Sequence, residues 1–112
     1  MPGVEALAWD DVNLSHLDER NAQRIAAGEI PISRAELDGL YEAGDYVTRD
    51  VEYRTRVGEW EWQVHLIGRT PAGRFLTIAC QVADDGRYRP ITVWPSSTTE
   101  EALYNEDVVG GE

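Results

Sequence analysis

Two periodicities divide this chain. Between Asp10 and Ala27 the apolar residues Leu14, Leu17, Ala22 and Ile25 recur at helical spacing. Asp10 or Asp11 offers an N-cap and Gly28 a stop, so the pattern predicts a first helix. Ser33 and Glu36 stand at capping-box spacing and open a second helix that continues through Leu37, Leu40 and Tyr41 to Gly44. Gly39 inside it costs roughly 1 kcal/mol relative to Ala, so this helix must be held by tertiary packing. A short strand near Leu7 is expected to precede both.

After Gly44 the period shortens to two, and β-branched and aromatic residues predict a sheet from about Tyr46 to Trp94. Trp60, Trp62, Val64 and Leu66 fall on one face and Glu59, Glu61, Gln63 and His65 on the other, which assigns both tryptophans to the core. Thr70-Pro71-Ala72-Gly73 turns the chain into Arg74–Val82, where Leu76, Ile78, Cys80 and Val82 alternate. Asp84-Asp85-Gly86 turns it again into Arg87–Trp94, and Pro90 marks that run as an edge strand or a bulge. Leu76, Ile78, Ile91 and Val93 are expected to face the helices. Ser97 with Glu100, or Thr98 with Glu101, caps a short terminal helix to about Asn105, and residues 106–112 read as a flexible tail. The expected class is α+β: an antiparallel sheet of three to four strands, with two N-terminal helices and a short C-terminal helix packed on it.

With 112 residues the chain supports one domain and one core. A hydrophobic share of 42% belongs to a globular protein, and the absence of a long apolar run or a basic leader predicts a cytoplasmic protein without a membrane span. Cys80 is alone, which excludes an internal disulfide and a cysteine-based zinc site. The net charge is −11, and it is unevenly spread. Residues 1–46 carry ten acids against three arginines, residues 96–112 five acids and no base, while residues 47–95 hold six acids and seven arginines. Every base is Arg and none is Lys, the planar fork suited to phosphate or carboxylate.

Phosphate-binding glycine loops, nucleophile elbows and zinc helices are missing. Cys80 shares the parity of Leu76, Ile78 and Val82 and is expected in the core, unreactive. One polar arrangement survives. Asn13, His16, Arg20 and Arg24 recur along one face of the first helix, while Arg69, Arg74, Arg87 and Arg89 flank the two turns. Brought together, His16 as acid and base with Arg69, Arg74 and Arg89 on the phosphate suits metal-independent RNA cleavage, and Arg20, Arg24 and Arg87 would hold the strand. No cofactor or metal is expected. Replacing Arg74 or Arg89 is expected to leave the melting temperature nearly unchanged. The competing reading is a solvated helix face and arginines paired with carboxylates.

Several motifs occur in the order of a known family. Trp9-Asp10 followed by Asn13 and His16, Ile32-Ser33 with Glu36, Leu66-Ile67-Gly68-Arg69-Thr70-Pro71-Ala72-Gly73-Arg74-Phe75-Leu76, and Arg87-Tyr88-Arg89-Pro90-Ile91-Thr92-Val93-Trp94 with Glu101 and Tyr104 lie between about residues 7 and 105. In these the chain resembles the BrnT family, ribonuclease toxins of bacterial type II toxin–antitoxin modules with a fold related to the RelE toxins. The resemblance implies an endoribonuclease that inhibits translation. It also implies a ribbon-helix-helix antitoxin that neutralises the enzyme and makes the only contact with DNA. Against the family pattern, the loop from about Val47 to Glu59 reads as longer than usual. The acidity supports a second class, a catalytically silent module of the same fold that binds a basic protein.

Overall fold

The computed structural model of the chain describes residues 6–110, with side chains to residue 106, and its first helix begins on a reciprocal cap. The Asp10 carboxylate accepts the Asn13 backbone N–H at 2.8 Å while the Asn13 side chain accepts that of Asp10 at 2.8 Å, starting α1 (Asp11–Ala26). Ser33 and Glu36 form the same device at the start of α2 (Arg34–Ala43), which ends at Gly44 in a left-handed conformation. Four strands follow as an antiparallel meander in sequence order, β1 (Tyr46–Arg54), β2 (Trp60–Arg69), β3 (Phe75–Val82) and β4 (Tyr88–Pro95). Helix α3 (Thr98–Gly110) closes the order, capped by Ser97 with Glu100.

The core lies between α1, α2 and one face of the sheet. Leu7, Leu17, Ile32, Leu37 and Leu40 pack on Leu66, Leu76, Ile78, Cys80 and Val93. On the opposite face Tyr104 of α3 meets Phe75 edge-on, and the Trp94 indole donates to Glu100. The two faces follow from strand parity, because Phe75, Thr77 and Trp94 alternate with Leu76, Ile78 and Val93. Tyr41 of α2 contacts Tyr46 on one edge strand and Tyr88 on the other, so the sheet curls around the second helix.

Both predicted turns close as expected, the first by Gly73 N–H donating to the Thr70 carbonyl and the second by Gly86 N–H donating to that of Ala83, each at 2.8 Å. β4 is indeed an edge strand and is bulged: register shifts at Ala79/Cys80 leave Ile91 as the extra residue, lining the seam with α1. Gly68 is required by contact, since a Cβ there would lie 2.3 Å from the Asp45 carbonyl oxygen.

Five expectations are corrected. Among the described residues the segment near Leu7 is buried but makes no strand, and the Ala8 N–H, donating to the Tyr88 carbonyl, is its one backbone tie to β4 there. Val47–Glu59 is no long loop: β1 pairs with β2 from Tyr46 to Arg54 and leaves a short turn. Ala22 and Ile25 are exposed, and α1 turns Asn13, Leu17, Asn21 and Arg24 inward instead. Trp60 and Trp62 are 62% and 63% exposed, because β2 overshoots the footprint of the helices. The region expected as tail, 106–112, is helical to Gly110, and its last two residues lie outside the described ones.

Candidate functional site

Helix α1 lies along edge strand β4, and the seam between them gathers part of the expected cluster. His16 and Arg20, one turn apart on the exposed flank of α1, face Pro90, Ile91, Thr92 and Val93 across a crevice of about 10 Å³, room for a single water. At one end the crevice opens into a groove of about 240 Å³ lined by Asn13, His16, Arg89 and Ile91. At the other it opens into one of about 310 Å³ lined by Arg20, Arg24 and Trp94. The crevice shares His16 with the first groove and Arg20 with the second, so the three run as one shallow track. Its openings sit at or below the roughly 300–1,000 Å³ of pockets that engulf small ligands, so the track suits a chain laid along the surface.

Two of the cations on this track are held by partners, each in a different way. Arg89 donates from Nε to Asp10 at 2.7 Å, and the same carboxylate caps α1, so the start of the helix fixes the arginine. Arg89 is the first cause, and the Asn13 N–H the second, of the depressed pKa of Asp10. Arg24 is buried, donating to the Val93 carbonyl at 2.6 Å and to Asn21 at 2.9 Å, which locks α1 to β4. Burial, with Arg20 and Arg74 nearby, holds its pKa below the usual arginine value. Arg20 makes no ion pair or hydrogen bond among the described residues, so its guanidinium faces the track unneutralised. Asn13 is committed to the Ala8 carbonyl at 2.9 Å.

The remaining arginines of the expected cluster stand elsewhere. Arg74 reaches from the β2–β3 turn to the loop between the helices, donating to the carbonyls of Pro31 at 2.8 Å and Ile30 at 3.0 Å and to Glu36 at 3.1 Å. Arg69 lies over the Phe75 ring on the α3 face, away from His16. Arg87 pairs with Asp85 in its own turn at 2.8 Å. Carboxylate pairing therefore holds for Arg74, Arg87 and Arg89, while His16 and Arg20 are the open members.

No family model, curated protein or solved structure matches this chain.

Cys80 is fully buried and its thiol is pushed up to about 12 by burial, which removes it as a nucleophile as its parity predicted. Among the described residues no group of three or more His, Cys, Asp or Glu side chains converges on a metal-sized space, and no helix is long and apolar enough to cross a membrane. Sequence reasoning treated Asp10 as a cap alone and missed its grip on Arg89. That partnership spans 79 positions and leaves no local signal. It also missed Thr92, which the bulge after Pro90 carries into the seam.

Proposed function

We propose that this protein is a BrnT-like, metal-independent endoribonuclease acting along the α1–β4 seam, the toxin of a toxin–antitoxin pair. The observation that supports it is the convergence of His16, Arg20 and Arg89 on one open track from elements distant in the chain. In this reading the RNA backbone lies on the track with a phosphate between Arg20 and Arg89. His16 takes the proton of the 2′-hydroxyl as that oxygen attacks the adjacent phosphorus. The bond to the 5′-oxygen breaks, the leaving oxygen takes up a proton, and the product ends in a 2′,3′-cyclic phosphate. Arg20 stabilises the charge developing on phosphorus, and Asp10 positions Arg89. Arg24 and Arg74 act as braces for the scaffold, a change from the roles expected of them in sequence. The resemblance further supports a cytoplasmic protein with a ribbon-helix-helix antitoxin as its partner.

Purified protein incubated with RNA in EDTA at low salt tests this. Fragments with cyclic phosphate ends are expected, together with growth arrest on expression that the adjacent antitoxin gene relieves. Intact RNA, both with and without ribosomes, would overturn the assignment. The second reading, a silent protein-binding module, is favoured by a separate observation, the exposed tryptophans at the far end of the sheet.

A further inference from the structure

Strands β2 and β3 pair only from Val64–Cys80 to Arg69–Phe75, yet β2 begins at Trp60 and β3 ends at Val82. Beyond Val64 and Cys80 the sheet splits into two hairpin arms, β1–β2 and β3–β4, whose facing edges carry no ladder. The notch between them measures about 480 Å³ and is lined by Glu61, Trp62, Val64, Gln81 and Val82. Side chains bridge its back, where Gln81 donates to Glu61 at 3.4 Å and Tyr53 donates to the same carboxylate at 2.7 Å. Past the footprint of α1 and α2, on the same face of the sheet as Leu66 and Cys80, Trp60, Trp62 and Val82 stand 62%, 63% and 59% exposed. Contiguous exposed apolar side chains beside unpaired strand edges mark an interaction surface.

Charge decides what fits. Glu52 stands directly opposite Trp62 and Asp50 opposite Val64, both exposed, with Glu59 and Glu61 on either side of Trp60. The nearby cations are Arg54 and Arg56, and Arg54 is engaged by the Gly58 carbonyl and the Trp60 ring. Nucleic acid would bring its phosphates against these carboxylates. A second copy in a two-fold contact would set the same carboxylates against each other, on a chain of net charge −11. We infer that the notch takes an extended, basic segment of a partner protein, which adds as a strand to the open edge of one arm. Its apolar side chains would lie on Trp60, Trp62 and Val82, and its Lys or Arg side chains would reach Glu52, Glu59 and Glu61. This inference is independent of RNA cleavage at the seam, because the two surfaces share no lining residue.

Selection of displayed random dodecapeptides on the full chain tests the inference, with the Trp60→Ser/Trp62→Ser double variant for counter-selection. Both side chains are exposed, so the variant should melt with wild type, and circular dichroism checks that it is folded. Enriched peptides should alternate Lys or Arg with apolar residues. Their binding should weaken at least tenfold in the double variant and in Glu52→Gln/Glu61→Gln, fall with added salt, and be unchanged in Arg20→Ala. Enrichment without basic residues, or equal binding to the double variant, would overturn the proposal. So would a wild-type dimer abolished by the double substitution, or quenching of Trp60 and Trp62 by a single-stranded RNA oligonucleotide. Loss of RNA cleavage in Arg20→Ala with peptide binding intact would separate this surface from the seam.

Discussion

At the scale of single residues, the arginines divide by what their guanidinium groups touch. Arg74 fastens the loop between the helices through two carbonyls and Glu36, and less than a third of its side chain is exposed. Arg74→Ala should therefore cost about 2 kcal/mol, seen as a lowered denaturation midpoint, because hydrogen bonds to a charged group contribute about 1.5–3 kcal/mol. Arg87→Ala, which removes only an exposed pair with Asp85, should leave the midpoint in place. This corrects the expectation that Arg74 could be removed without loss. His65 packs edge-on against Trp94, and burial, with Arg49 nearby, keeps its pKa below the ordinary 6.5 despite the opposing pull of Glu100. The unfolded chain binds that proton more readily, so the contribution is fully present above pH 6.5 and is lost as pH falls from there through the lowered value. A stability profile across this range should be flatter in His65→Gln, and an equal slope in both proteins would contradict the assignment. Residue types and parity made Cys80 legible in sequence. The partners of Arg24, Arg74 and Arg89 were not legible, because each lies in another element.

At the scale of elements, boundaries were readable wherever the signal is local. The Asp10 cap of α1, the Ser33–Glu36 capping box, the glycine stop of α2 and the two tight turns need only neighbouring residues, and all formed as predicted. The face that α1 buries was misread, because its inward stripe is mostly polar: Asn21 and Arg24 satisfy backbone groups of Ile32 and Val93 instead of adding apolar area. The tryptophans were misread for a related reason. Parity places a side chain on a face but does not say how far the covering helices extend, and here they end near Val64. Gly68 carries a close approach that no local pattern signals. Gly68→Ala would drive a Cβ into the backbone of Asp45 and Tyr46 at the α2–β1 junction, where Tyr104 of α3 also bonds Asp45. It should cost at least about 3 kcal/mol, the upper range for overpacking. A midpoint within error of wild type would contradict the tight junction between β1 and β2.

At the scale of the whole molecule, a chain of net charge −11 must attract an anion locally if it does so at all. In the proposed reading that local site is the seam where α1 lies against β4 and puts His16 and Arg20 on one track with Arg89, while the apolar notch with its carboxylates occupies the other end of the sheet. Sequence spacing had put His16, Arg20 and Arg24 on one face but could not decide which strand arginines join them, since that follows from tertiary packing. RNA held by so few cations should dissociate steeply with salt, leaving little cleavage in high salt. The most direct measurement compares single-turnover RNA cleavage in EDTA for wild type, His16→Ala, Arg20→Ala and Arg69→Ala. Loss of a general acid–base or of a transition-state cation costs about 10² or more in rate, so His16→Ala and Arg20→Ala should each fall by that factor while Arg69→Ala cleaves like wild type. Cleavage that survives Arg20→Ala and His16→Ala but is lost in Arg69→Ala would place the chemistry on the α3 face and contradict the seam.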